Sequence, residues 1–405
     1  MKKFIMYGAG NIGRGFIGQL FSNAGYKVGF IDVNKEVINR LNADGEYPVN
    51  VVTTDSNVEQ IVKNAYGIDG TDNELVASEI ASADIMATAI GVNILKFIAK
   101  PLALGLKKRF EQNAPIFNII ICENMIGADQ YLKGLIKNEI PEYADRIDKE
   151  IGFVEPSIGR MVPVVTEDKK MGNPLRVYVE PYNILPIDKE AFKGEIPEIA
   201  NLYPFAPFNL FIQRKLFMHN MSHAVTAYLG NLRNYEYIYQ ATADFDIKYV
   251  SYRALIESAQ ALAKENGVDI KLLTDHADDL LYRFTNTALG DTVERVGKDT
   301  KRKLGENDRL IGALKLCEKF NLETKYIAMG VAAGMFFAPD SDESSKELKA
   351  YALENGAKAT LKTYSNYEGE AVQLIETYYE MIKAGKTIKD LVDYANSLCA
   401  KQIKV

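Results

Sequence analysis

The feature that most constrains this chain is its opening. Residues 3–7, KFIMY, form a short apolar run that leads directly into Gly8-Ala9-Gly10-Asn11-Ile12-Gly13. A helical pattern follows, with Phe16, Ile17, Leu20 and Phe21 at spacings of one face, closed by Ala24-Gly25. A second apolar run, residues 27–31, ends at Asp32. Strand, G-x-G-x-x-G, helix, strand and acid is the context a dinucleotide fingerprint needs. Gly8 permits the tight turn, Gly10 lets the backbone approach a pyrophosphate, and Gly13 allows close packing of helix on strand. The helix start offers N–H groups and partial positive charge to the anion. Asp32, at the tip of the second strand, accepts from ribose hydroxyls and repels a 2′-phosphate, which favours NAD over NADP. The competing reading is a glycine-rich turn with no nucleotide.

The following residues extend a parallel sheet. Val51-Val52 and residues 61–65 read as short strands or strand ends. Residues 84–90 (DIMATAI) end at Gly91, and residues 117–122 (FNIIIC) run into Glu123-Asn124-Met125. Such runs, alternating with helical patterns such as 94–109, imply strands covered on both faces. Ligands in these sheets sit beyond the carboxyl ends of the strands, which places Gly91 and Asn124 near a nicotinamide. Asn124 reads equally as a turn residue or helix cap. From 152 to 204, prolines punctuate short alternating segments, read as extra strands and loops that carry the chain out of the sheet. Arg160 stands there among apolar neighbours, either as a contact to an anionic or hydroxylated ligand or as half of a surface ion pair.

The middle stretch 213–229, QRKLFMHNMSHAVTAYL, holds a lysine, an asparagine and two of the three histidines of the chain. On an α-helix, with Lys215 at zero, His219 falls near about 40°, His223 near about 80° and Asn220 near about 140°. The four groups share one side and expect a polar cavity. A solvated face with incidental histidines is the bland alternative. After Leu229 the pattern is helical over 254–265, 270–289, 308–320, 326–337, 347–357 and 371–383. Within it, residues 294–303 (ERVGKDTKRK) are locally basic, and Arg295 and Arg302 either hold a phosphate or belong to a solvated charge run.

Composition excludes several classes. A net charge of −6 gives no reason to expect nucleic acid or an anionic membrane as partner. Three cysteines, Cys122, Cys317 and Cys399, have no disulfide or zinc spacing, which suits a reducing cytoplasm. No apolar run is long enough for a membrane span or signal peptide. With no plausible metal cluster, a zinc mechanism is disfavoured. An alcohol that gives hydride to NAD must also lose its hydroxyl proton. Lys215 serves as base if burial and neighbouring cations lower its pKa, Asn124 and Asn220 donate to the oxyanion, and His223 orients the hydroxyl or relays a proton.

Together these residues resemble the polyol-specific long-chain dehydrogenases of the mannitol dehydrogenase family. The carriers are YGAGNIGRGFIGQLFSNAGY at the start, K-x-x-x-x-N-x-x-H as Lys215, Asn220 and His223, ICENM around Asn124, and DTVERVGKDTKRKLGENDRLI. The resemblance implies an α/β fold, with a Rossmann-like N-terminal domain over 1–195 and a mainly α-helical C-terminal domain over 196–405. It implies a cleft active site between them, cofactor contacts from Gly8 to Gly13 with Asp32 and Gly91, and substrate contacts from Arg160, Arg295 and Arg302. The implied reaction is metal-independent: mannitol 1-phosphate and NAD interconverted with fructose 6-phosphate and NADH, with Lys215 as general base. It also implies a cytoplasmic monomer or weak homo-oligomer. Two departures, Gly159 before Arg160 and Gly290 before Asp291, leave open an unphosphorylated polyol or a hexuronate as the substrate. A nucleotide-binding sensor without turnover is a third reading. His219 falls on the active side in the α-helical phase and is expected to add a proton-relay or substrate contact.

Overall fold

The computed structural model describes residues 1–400 apart from 126 and 164, and only the backbone of 399 and 400. Its contacts form two compact units, Met1–Asn209 and a second beginning at Leu210.

The first unit is built on strands β1 (Lys3–Tyr7), β2 (Lys27–Asp32), β3 (Tyr47–Val52), β4 (Asn57–Val62), β5 (Ala65–Asp69), β6 (Ile85–Thr88), β7 (Phe117–Ile121) and β8 (Ile151–Val154). Three short strands follow: β9 (Val177–Val179), β10 (Leu185–Asp188) and β11 (Leu202–Phe205). The main sheet has the order β5-β2-β1-β6-β7-β8, and every pair in it is parallel. This is the doubly wound order, whose direction reverses between β1 and β6, where the loops from Gly8 and Gly91 open. Alternation along β1 explains the two layers. Phe4 and Met6 enter one core with Phe16, Phe21 and Phe30, while Ile5 and Tyr7 enter the other with Ile80, Leu102 and Ile119.

The structure resolves one detail of the sequence reading and corrects another. Residues 61–65 hold two strand ends: β4 ends at Val62, and β5 starts at Ala65 in a different sheet. β3 and β4 form an antiparallel hairpin, which β9 extends in parallel. The chain does not leave the sheet at 152, since β8 is its sixth strand, with Phe117 opposite Ile151. Four fully buried residues followed closely by Pro156 give too short a signal for a sheet strand. The pair β10–β11 keeps the chain within the first unit through Phe205.

The second unit is helical among the described residues. Its longest unbroken helix, Phe245–Asn266, is capped by the Asp244 carboxylate, which accepts from the Asp246 and Ile247 N–H groups, and ends at left-handed Gly267. Helix Lys325–Gly334 is buried throughout and lies tightly on Met221–Leu232. A Cβ on Gly330 would come within 2.5 Å of Val225, and one on Gly334 within 2.9 Å of Tyr228. Glycine at these points lets the site-bearing helix sit against the core. Segment Glu343–Ser365 is broken at Gly356, whose φ of 82° is not helical. Cys122 and Cys317 are buried and not joined in a disulfide, whereas the side chain of Cys399 lies outside the described residues.

One buried acid in this core carries a testable consequence. Glu257 accepts hydrogen bonds from the Tyr326 and Ile327 N–H groups at the start of Lys325–Gly334. Burial outweighs those bonds and pushes its carboxyl from 4.5 up to about 7. Between these values the folded chain holds a proton that the unfolded chain releases. The contribution is therefore fully present below 4.5 and is lost as pH rises through about 7. The span corresponds to about 3 kcal/mol. Urea melts of wild type and Glu257→Gln from pH 5 to 8.5 are expected to diverge by about that amount, with wild type the less stable at high pH. Parallel profiles would mean that Glu257 stays ionised.

Candidate active site

The glycine loop leaves β1 with Gly8 at a φ of 106°, and a Cβ there would lie 2.4 Å from the Ala89 carbonyl oxygen. A Cβ on Gly13 would lie 2.1 Å from the Gly8 carbonyl oxygen, so the helix start is drawn onto the loop itself. Gly10 differs, because nothing lies within 4 Å of its Cβ position. Its bare backbone faces open space, as a pyrophosphate cradle must. The helix begins at Asn11 and passes through a π-wound turn, Gly13–Gly18. Ala9 is buried, Ile12 packs on the core, and Asn11 donates to the Pro163 carbonyl. Arg14 is not a ligand group: it is buried and its Nε donates to the Ala9 carbonyl at 2.6 Å, bracing the loop from below.

Asp32 is tied to this loop. Its Oδ2 accepts from the Ala9 N–H at 2.8 Å and its Oδ1 from the Asn34 N–H at 3.0 Å. Asp69 stands beside it in strand register and carries Lys35 and Thr71. Two carboxylates at neighbouring strand tips make a poor place for an added phosphate. Gly91, at a φ of 91°, gives its N–H to Glu123 Oε2 at 2.7 Å, and the Ile90 N–H goes to Oε1 at 2.9 Å. Glu123 thereby clamps two strand-end loops together. Sequence reading passed over it for its neighbour Asn124, which lies exposed in the following turn. An acid directly after an apolar strand was the available signal.

Helix Asn209–Arg214 runs into a π-wound turn of the second unit, Lys215–Asn220, and then into the α-helix Met221–Leu232. Hydrogen bonds in a π turn close at i+5 in place of i+4, so residues five apart fall on the same side. Lys215 and Asn220 have that spacing, and His223 follows three residues later on α-helical winding. The uniform 100° step placed Asn220 well away from Lys215, and the local change of winding reduces the offset. Lys215, Asn220 and His223 are all half-buried. His219 lies close to His223, with ring centroids 6.1 Å apart. It is buried near Phe284, and burial, then the nearby Arg283, His223 and His276, hold its imidazole well below its ordinary value. The α-helical phase expected it on the active side; its ring is near that of His223, but it is buried and neutral.

His223 stacks on Phe284 with centroids 4.5 Å apart and planes 15° from parallel. Its Nε2 lies 3.2 Å from Asp291 Oδ2. Burial alone would push Asp291 up, but His223 and Arg295 more than reverse this and leave it below the usual carboxylate value. Gly290, at a φ of 58°, ends the turn Thr287–Leu289 in the left-handed conformation. Nothing lies within 4 Å of its Cβ position, so the absence of a basic side chain leaves space next to Asp291.

The basic run is largely paired with acids. Arg295 donates through Nε to Asp291 at 2.6 Å, Arg302 to Asp299 at 2.5 Å, Arg309 to Asp308 at 2.8 Å, and Lys301 meets Glu347. Arg295 and Arg302 still expose about half of their side chains, 56% and 51%. Lys303 is the exception. It is buried, gives its ammonium protons to the Val296 and Lys298 carbonyls, and is pushed down to about 7 by burial and then by Arg309 and Arg302. Arg160 is no surface residue. It is buried and donates to the Glu180 and Gly15 carbonyls and to Gln19 Oε1, the geometry of a brace behind the glycine-rich helix. Gly159 lies beneath Tyr182, whose ring would stand 3.3 Å from an added Cβ. Among the described residues no group of three or more His, Cys, Asp or Glu side chains is placed to hold a metal ion, and no helix is long and apolar enough to cross a membrane.

Comparison with known proteins bears on both units. Residues 2–201 match the mannitol dehydrogenase Rossmann domain, and residues 208–398 match the mannitol dehydrogenase C-terminal domain. A D-sorbitol dehydrogenase in substrate-free form superposes with a TM-score of 0.80 at 16% identity, covering 96% of this chain and 94% of that one. Pseudomonas fluorescens mannitol 2-dehydrogenase, in a ternary complex with NAD and D-mannitol, gives 0.74 at 15% identity, with 98% and 94% covered. At such identities the likeness is one of fold, a parallel-sheet Rossmann-like domain followed by a helical one. The two domain matches together span nearly the whole sequence, and the chain belongs to the mannitol dehydrogenase family.

Proposed function

We propose that this chain is an NAD-dependent, metal-independent dehydrogenase that interconverts mannitol 1-phosphate and fructose 6-phosphate, in the manner of a mannitol-1-phosphate 5-dehydrogenase. The observation that carries the reading is the π-wound turn, which gathers Lys215 and Asn220 with His223 on one half-buried stripe. The glycine loop fits the dinucleotide: Gly10 faces open space, and Asp32 and Asp69 oppose a 2′-phosphate. The cofactor supplies hydride acceptance in the direction of alcohol oxidation. Lys215 takes the hydroxyl proton. Asn220 and Asn124 donate to the oxygen as negative charge develops on it. His223 contacts a substrate hydroxyl. Arg295 and Arg302, half-exposed on their acids, are the groups available to the phosphate.

The same pairing supports a second reading, a dehydrogenase of an unphosphorylated polyol or a hexuronate. Asp291, Asp299 and Asp308 already neutralise much of the basic run, and Gly290 adds no charge. Oxidation of NADH with fructose 6-phosphate, free fructose and a hexuronate, with NADPH as control, separates the two. Turnover at least a hundredfold faster in kcat/KM with fructose 6-phosphate and NADH is expected. Faster turnover with fructose or the hexuronate would replace the phosphate reading and leave the Lys215 chemistry standing. Equal use of NADPH would overturn the role given to Asp32.

A further inference from the structure

Asp291 faces two cationic or protonated partners at once. One carboxylate oxygen, Oδ1, takes the Nε–H of Arg295 at 2.6 Å, and the other, Oδ2, lies 3.2 Å from His223 Nε2. An ionised carboxylate can only accept, so the proton in the second contact belongs to the imidazole. The surroundings hold this arrangement in place. The Asp291 carbonyl accepts from the Ile238 N–H at 2.9 Å, Tyr237 and Thr292 form a β-bridge, and the Val293 N–H reaches the Glu236 carbonyl at 2.9 Å. The Thr292 hydroxyl caps the next helix by accepting from the Arg295 N–H. On the other side, Phe284 lies nearly parallel to the imidazole and fixes its plane.

We propose that Asp291 is a positioning residue that holds His223 as the Nε2–H tautomer and leaves Nδ1 as the acceptor of the ring. The consequence for chemistry rests on the reading of Lys215, Asn220 and His223 given above. A His223 with its proton committed to Asp291 does not donate to the developing oxyanion. It accepts from a substrate hydroxyl, and donation to the oxyanion falls to the asparagines. The ring therefore selects for a hydroxyl on the substrate. A carboxylate-oriented imidazole whose partner is changed to an amide loses its tautomer, because the amide offers donors where the carboxylate offered none.

The chain has three histidines, which makes the test direct. Long-range ¹H–¹⁵N correlation spectra of the full-length protein labelled with ¹⁵N-histidine, assigned with His223→Asn, report the tautomer. At pH 8 the wild-type His223 is expected to show a protonated Nε2 and a bare Nδ1. Asp291→Asn is expected to reverse or mix that pattern and to lower kcat about ten- to a hundredfold with smaller change in KM. A protonated Nδ1 in wild type, or an unchanged tautomer in Asp291→Asn, would overturn the proposal. If the Asn protein does not fold, Asp291→Glu carries the comparison, with the Nε2–H pattern retained. A changed tautomer with unchanged kcat leaves the positioning role intact and removes His223 from the reaction, so failure of the functional reading is told apart from failure of this one.

Discussion

Lys215→Ala is expected to lower kcat about a thousandfold while NADH binding stays within a few-fold of wild type. A positioned general base contributes about two to four orders of magnitude, and no other group on the same stripe replaces it. Asn220 has no basic lone pair to offer, and His223, with Nε2 engaged by Asp291, has only Nδ1 left, which the reading above assigns to orienting a substrate hydroxyl. The nucleotide groups belong to the first unit and Lys215 to the second, so fluorescence titration of NADH separates binding from chemistry. Lys215→Arg is expected to fail equally, because guanidinium stays protonated at any working pH. Retention of kcat within tenfold in the Ala protein would remove Lys215 from the reaction. Loss of NADH binding along with turnover would assign the lysine a structural part.

The second large effect lies in the glycine loop, where two substitutions of identical chemistry are expected to behave differently. In Gly13→Ala the new methyl meets the Gly8 carbonyl oxygen at 2.1 Å, and Met6 Cγ is 3.3 Å away. The nearer atom is backbone and cannot rotate aside. Overpacking of this kind costs about 1–3 kcal/mol, and the displaced loop is expected to lose most of its NADH affinity. In Gly10→Ala the methyl meets no protein atom. Thermal stability is expected to stay within about 0.5 kcal/mol of wild type, while NADH affinity falls at least tenfold because the methyl fills the space the pyrophosphate needs. Melting temperature and NADH titration of the two proteins decide this. Unchanged NADH affinity in Gly10→Ala would mean that the pyrophosphate lies elsewhere.

Much of the first unit was legible because its information is local. The run from Lys3 to Asp32 states its turn, its helix and its acid within a single βαβ unit, and Gly13 answers to Gly8 five residues before it. The helical second unit was legible for the same reason, through apolar spacing. Short pieces were not. The four residues of β8 and the split between β4 and β5 carry too few residues for periodicity to distinguish them.

The sequence by itself determined the parallel sheet, the glycine loop and its acid, and the residues Lys215, Asn220 and His223 as a set. The 100° step already put them on one side; only the structure showed the π turn that draws Asn220 toward Lys215. A change from α to π winding is worth one extra residue in a turn and has no period of its own to be read, so the 100° rule set Asn220 too far from Lys215. Burial turned Arg160 from a surface or ligand residue into a brace, and the acids at 291, 299 and 308 drew the basic run into pairs. The clamp of Glu123 on Gly91 and the contact of Asp291 with His223 join residues far apart along the chain. No spacing rule reaches across such distances. Those contacts exist because packing brings separate elements together, and charge and hydrogen bonding then select which side chains meet.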